Sequence, residues 1–231
     1  MATVFLSAGH GGSDPGACAY GLEEKTINLN TLLACRDELK RHGVKVFTSR
    51  TKDENDPVGQ EVKEANAVDA DIAVSFHANA GGGDGFEAFY YPGSKNGLKL
   101  AQLCEKHVKK IGQNSRGIKN GKHLKFINGT KMTAVLVESF FVDNAKDKKI
   151  GDTVSEQKKF GVAYAKAILE FFGITYKEEK NKKTEKTEKT EKTTSDKTYS
   201  VQVGAYKEKK NAEDMKRKLK KAGFDGAIKE V

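Results

Sequence analysis

Two histidines stand where short apolar runs give way to polar turns. Thr3 to Ala8 is a run of β-formers, and His10 follows it in the stretch Gly9-His10-Gly11-Gly12. His77 closes a second such run, Asp71 to His77. Between them Glu24 opens a segment in which Ile27, Thr31, Leu32, Cys35 and Leu39 recur at helical spacing as far as His42. Gly43 then sits where a helix end favours a residue free to take positive φ. Two imidazoles and a carboxylate are the ligand type of catalytic zinc sites, which keep a fourth position for water. Glu138 has another character. It follows the continuous apolar run Met132 to Val137, and a carboxylate ending so covered a strand has no structural purpose unless something positive or reactive stands nearby. That makes it the candidate general base. Taken singly, each residue has an ordinary alternative: a hydrogen-bonded strand-end histidine, a glutamate favouring a helix dipole, a salt-bridge partner. Their shared position at the ends of elements along one sheet edge brings the metal reading level with those alternatives. His42 and His107 sit on helices among polar neighbours, and neither they nor His123 ends a core strand.

The elements needed to hold these residues follow from periodicity. Val44 to Thr48 and Phe86 to Tyr91 read as strands, and His123 to Ile127 as a short one. Asp56 before Pro57 is a helix start, with a capping side chain and then a proline whose missing N–H costs nothing at the first helical position; that helix runs to about Val68. Leu98, Ala101, Glu105, Val108 and Ile111 outline another helix, and Ser155 to Phe172 a last one through Phe160, Ala163, Ala167, Ile168 and Phe171. Met132 to Val137 has the unbroken apolarity of a central parallel strand. The alternation predicts an α/β fold: a mostly parallel twisted sheet with helices on both faces and its functional groups at the carboxyl ends of the strands.

Three regions are expected: a globular domain over 1–175, a linker over 176–197 and a small β-α-β module over 198–231. The linker repeats Lys-Thr-Glu three times and has nothing to bury, so it reads as a flexible tether spanning roughly 25 Å on average. In the module, Tyr199 to Ala205 reads as a strand, Asn211 to Ala222 as a basic helix with Ala212, Met215 and Leu219 inward, and a short strand follows Gly223. Of the net charge of +9, this last region carries +4, from nine basic and five acidic residues. Such a tail favours an anionic partner, or is simply a solvated lysine-rich face. Nucleic acid is not expected, because aromatic stacking positions and groove-reading motifs are missing. No run approaches the roughly 18 apolar residues of a membrane span, so stable membrane insertion is not expected either. The first residues lack the basic start of a secretory signal, and Cys18, Cys35 and Cys104 have no metal-like spacing. The expectation is a protein with reduced thiols, made in the cytoplasm without a signal peptide.

Four blocks of sequence, in order, carry a resemblance. They are Ser7-Ala8-Gly9-His10-Gly11-Gly12-Ser13-Asp14-Pro15-Gly16-Ala17, Leu22-Glu23-Glu24-Lys25-Thr26-Ile27-Asn28-Leu29, Ser75-Phe76-His77-Ala78-Asn79-Ala80, and Ala134 through Glu138-Ser139 to Asn144. Residues 2 to about 174 thus resemble the catalytic domain of zinc-dependent N-acetylmuramoyl-L-alanine amidases. The resemblance implies one Zn2+ per chain held by His10, Glu24 and His77, with Glu138 catalytic; Glu23 is the rival for the second ligand, but the family's ligand directly precedes the lysine-like position. It places Asn79 near the substrate cleft. It also implies the activity: cleavage of the amide between N-acetylmuramic acid and the L-alanine of the stem peptide. Two departures stand out. Ser139 takes a position where relatives often have glycine, and the basic residue common in the helix before the third strand has no clear counterpart around Glu61 to Lys63. Residues 198–231 resemble the first half of a SPOR-like cell-wall-binding module, so two chains are expected to complete it as a homodimer. A lysin or autolysin acting on a Gram-positive wall after release is the expected role. The alternatives are a zinc peptidase acting within the stem peptide and a wall-binding protein without activity.

Overall fold

A computed structural model describes residues 1–178 and 208–221. The chain divides into two units, Met1–Glu179 and Lys180–Val231, and each is treated by itself. The first unit opens with β1 (Thr3–Ala8), a small hairpin of β2 (Cys18–Ala19) and β3 (Leu22–Glu23), α1 (Glu24–Arg41) and β4 (Lys45–Thr48). It continues through α2 (Val58–Ala67), β5 (Ile72–Asn79), β6 (Phe86–Tyr90), α3 (Lys95–Lys109) and β7 (Ser115–Asn120). The last elements are α4 (Lys125–Gly129), β8 (Thr133–Phe141), α5 (Ala145–Gly151) and α6 (Val154–Phe171).

Six strands form one sheet in the order β4-β1-β5-β8-β6-β7. All neighbours are parallel except β6 and β8. This is the expected α/β architecture. Alternation along the strands sorts their side chains between two layers. Val4, Leu6, Ala8, Val74, Phe76, Val135 and Val137 enter a large core with α1, α3 and α6. Phe5, Ala73, Ala134 and Leu136 enter a smaller one with Ala65 of α2 and Phe126 and Ile127 of α4. That second face changes character along its length. It is apolar where the strands begin, and at their carboxyl ends the same parity brings Ser7, Ser75, His77 and Glu138. A sheet face that turns from core to chemistry along its strands positions the site.

Three expectations need correction. The apolar pair near His123 is not a strand; Lys125–Gly129 is a short helix, and the strand lies earlier, at Ser115–Asn120. Asp56 caps nothing: Pro57 is itself the N-cap, with φ −65° and ψ 144°, and Asp56 turns inward, buried, with Oδ2 unpartnered. Met132 to Val137 is central, but β8 runs on to Phe141 and has an antiparallel neighbour on one side, so Glu138 lies within the strand. The remaining helices and strands of the unit lie where periodicity put them, within a few residues. In the second unit the described element is α7 (Lys209–Lys221), whose Ala212, Met215 and Leu219 are partly shielded while Lys216, Arg217 and Lys218 are exposed. The expected strands at Tyr199 to Ala205 and after Gly223, and most of the linker, lie outside the described residues.

Candidate metal centre and its carboxylate

His10 leaves β1 in a left-handed conformation, φ +65°. The strain is held by its surroundings, since Gly11 and Asp14 exchange backbone hydrogen bonds at 2.9 and 3.1 Å. Arg50 fixes the loop from below. It is 2% exposed and donates to the carbonyls of Ala8 (3.0 Å), Gly9 (3.4 Å), Lys52 (3.3 Å) and Lys25 (2.7 Å), tying the end of β1 to the start of α1. Lys25 adds a second tie, from Nζ to the Gly12 carbonyl and to Asp53, both at 2.9 Å.

Glu24 is the first residue of α1 and is buried between the two imidazoles. Its Oε2 lies 3.2 Å from His10 Nε2 and its Oε1 2.9 Å from His77 Nδ1. The backbone N–H groups of Ala17 and Ala78 donate to the same carboxylate at 2.9 and 3.1 Å, so it is aimed at once from the glycine-rich loop and from β5. Glycine is obligatory beside it: a Cβ on Gly16 (φ +65°) would fall 2.6 Å from Glu24 Oε2, and one on Gly9 only 2.1 Å from His77 Cε1. One ligand atom from each of His10, Glu24 and His77 lies within 4.8 Å of the others, the candidate metal set among the described residues. Glu23, the rival ligand, is exposed in β3.

The carboxylates around the two imidazoles favour positive charge between them. The hydrogen bond to Glu24, opposed by burial and helped by Asp14, raises His10 to about 9. Burial would lift Glu24, but the two histidines hold it well below the usual carboxylate range. His77 is raised despite its burial, through Glu24 and the further carboxylates Glu138 and Glu61. His10 Nδ1 lies 2.8 Å from Asp14 Oδ2, the carboxylate-to-histidine arrangement that turns the other ring nitrogen toward a metal. Two nitrogens and one carboxylate oxygen, converging and otherwise charge-deficient, suit Zn2+ with one open position.

Glu138 lies opposite His77 in the β5–β8 register, one strand spacing away. Its Oε2 is buried without a hydrogen-bond partner, and burial pushes its carboxyl up to about 7, with His77 opposing and Glu24 and Glu87 adding to the rise. Asn79 ends β5; its Oδ1 accepts from the Ala80 N–H at 2.8 Å and its Nδ2 donates to Glu87 at 3.3 Å. Of the two departures, Ser139 is buried with its hydroxyl 2.9 Å from Tyr164 Oη, which explains how a polar residue is tolerated there. Glu61 of α2 is buried beneath the site, its carboxyl raised by burial. His107 is bound by Glu170 at 2.7 Å and His42 by the Glu38 carbonyl at 2.7 Å, both away from the site. Sequence reading missed Asp14 and Arg50. For Asp14 a signal existed, four residues after His10 in the same loop; Arg50 gave none, because its four carbonyl partners come from three segments.

The family described as N-acetylmuramoyl-L-alanine amidase (Amidase_3) matches residues 4–170, and the SPOR domain family matches residues 195–231. The chain is 32% identical to the N-acetylmuramoyl-L-alanine amidase CwlM of Bacillus licheniformis, over 99% of this chain and 85% of that protein. It is 34% identical to the endolysin of Bacillus phage SPP1, over 75% of this chain and 67% of that one. Among solved structures, the catalytic domain of CwlV, an amidase from Bacillus (Paenibacillus) polymyxa var. colistinus, superposes with a TM-score of 0.70 at 30% identity, covering 76% of this chain and 100% of that one. With this geometry and these matches, the chain belongs to the N-acetylmuramoyl-L-alanine amidase family.

Proposed function

We propose that this chain hydrolyses the amide between N-acetylmuramic acid and L-alanine with Zn2+ held by His10, Glu24 and His77 and with Glu138 as proton carrier. The observation that carries the reading is the convergence of those three ligand atoms beside a buried carboxylate that has an unpartnered oxygen. Bound there, zinc would polarise the lactyl carbonyl and acidify the attacking water. Glu138 takes the proton of that water and delivers it to the alanine nitrogen, which leaves poorly as an anion; the residue is base first and acid second. Asp14 and the Ala17 and Ala78 amides hold the ligands in place throughout.

Glu138→Gln keeps the shape and removes the base. We expect it to retain one zinc per chain and to lose turnover by about 10²–10⁴-fold. Near-normal release of alanine amino groups from cell wall by this variant would overturn the assignment. A peptidase within the stem peptide would instead expose other amino termini and leave alanine attached to the glycan.

The SPOR match supports wall binding by the tail. We assign residues 1–175 to catalysis, 176–197 to a tether and 198–231 to the wall-binding half-module, in an enzyme that reaches the wall after release. Two half-modules pairing would make a dimer, and sedimentation as a monomer at micromolar concentration would exclude it.

A further inference from the structure

The sheet continues past Glu138 into a second group of charges. β6 is the antiparallel neighbour of β8 and places Glu87 opposite Glu138; β7 lies beyond it. The Glu87 side chain is 5% exposed, and its Oε1 accepts from Arg116 Nε at 2.6 Å and from Lys119 Nζ at 2.5 Å. The cations themselves are 44% and 39% exposed. One carboxylate thus anchors two cations and leaves a surplus positive charge at the surface. Arg116 lies 5.3 Å over the Phe141 ring, a cation–π contact that helps hold its head in place. Among the described residues, the remaining N–H donors of both side chains have no protein acceptor.

A regular strand would point residues 116 and 119 to opposite faces. Here the register shifts: Phe86 pairs with Ser115 and Ala88 with Ile118, so β7 carries one extra residue, and Gly117 takes φ +93°. The bulge brings Arg116 and Lys119 to the same carboxylate. Neutralising Glu87 needs one cation; the bulge delivers two.

We propose that Arg116 and Lys119 form an anion-binding subsite for the stem peptide, taking the free α-carboxylate of the residue that follows L-alanine. The inference rests on the amidase reading above. In stem peptides that second residue is a glutamate joined through its side-chain carboxyl, so its α-carboxylate is available unless amidated. Reach is compatible. β7 is two strand spacings from β8, about 10 Å, and an extended chain advances about 3.5 Å per residue, so long basic side chains close the remaining gap. Asn79 and Glu87 act as positioning residues, Asn79 fixing Glu87 and Glu87 fixing both cations.

The test uses the full zinc-loaded chain and two soluble muramoyl peptides that differ only in this group, one with the α-carboxylate and one with the α-carboxamide. The wild type is expected to favour the carboxylate about tenfold in kcat/KM, through KM. Arg116→Gln and Lys119→Gln should each pull that ratio toward one with kcat kept, whereas Lys122→Gln, which removes an exposed charge from the next turn, should leave the ratio alone. Equal losses on both peptides would make the pair a purely structural anchor for Glu87 and overturn the proposal. So would a wild type that cuts both peptides equally well, with the amidase reading intact. A wild type that releases alanine amino groups from neither peptide nor cell wall would bring down the amidase reading itself.

Discussion

A carboxylate between two imidazoles is a proton trap when no metal is present. His10 is raised to about 9 and His77 is raised as well, so at neutral pH the metal-free site holds a proton on His10 that a bound zinc ion would displace. Zinc binding at pH 7 should therefore release about one proton or more, read from calorimetry in buffers of different ionisation enthalpy; release of none would mean that the His10 imidazole is already neutral. The same groups shape stability without metal. His10 sits above its unfolded value near 6.5, so its contribution is whole below that pH and fades as pH rises toward about 9. Glu24 is depressed, so its contribution is present above its unfolded value near 4.5 and fades as pH falls below it. Metal-free protein is expected to melt highest between about pH 4.5 and 6.5. A melting temperature that keeps climbing up to pH 9 would contradict this.

Helices set the ligands through close contacts. Gly161 of α6 meets α1 where an added Cβ would fall 2.3 Å from the Thr31 carbonyl oxygen and 2.9 Å from the Cys35 backbone nitrogen, neither of which can swing aside. Gly161→Ala should cost about 3 kcal/mol, or roughly 6 to 12 °C in melting temperature for a domain of this size. Because α1 begins at Glu24, the same substitution should also weaken zinc affinity; a variant destabilised but unchanged in affinity would mean that the Arg50 and Lys25 ties and the amides on Glu24 hold the helix start without α6. This level of structure was partly legible in the sequence. The ligands stood out because each terminates or opens a strongly periodic element, and those elements lie where the pattern placed them. β7 was hidden because Ser115-Arg116-Gly117-Ile118-Lys119-Asn120 is an edge strand with one apolar residue, a bulge and no alternation. Phe126 and Ile127 misled for the opposite reason: two adjacent apolar residues give no period, and here they plug the smaller core from a single helical turn. The Glu87 cluster joins residues from three strands, so no local pattern could announce it.

At the scale of the whole molecule, the proposed reading gives recognition of the wall and hydrolysis of its amide to different units. Removing residues 179–231 is expected to leave cleavage of a soluble muramoyl peptide near the full-length rate while slowing lysis of insoluble wall about tenfold or more, since the tail adds effective concentration and no chemistry. Equal slowing on both substrates would show that the tail takes part in the site. The catalytic unit is itself divided in a less visible way. His77 and Glu138 sit within neighbouring parallel strands, laddered on both sides, whereas His10 hangs on a glycine loop beyond the end of its strand. Those two halves should keep different time. In deuterium the amides of 74–77 and 135–138 should exchange only when the domain unfolds, while those of 11–14 and 16 open locally and much sooner. On the proposed reading, a bound metal would then exchange from the His10 side, while Glu138 stays on strands that open only with the whole domain.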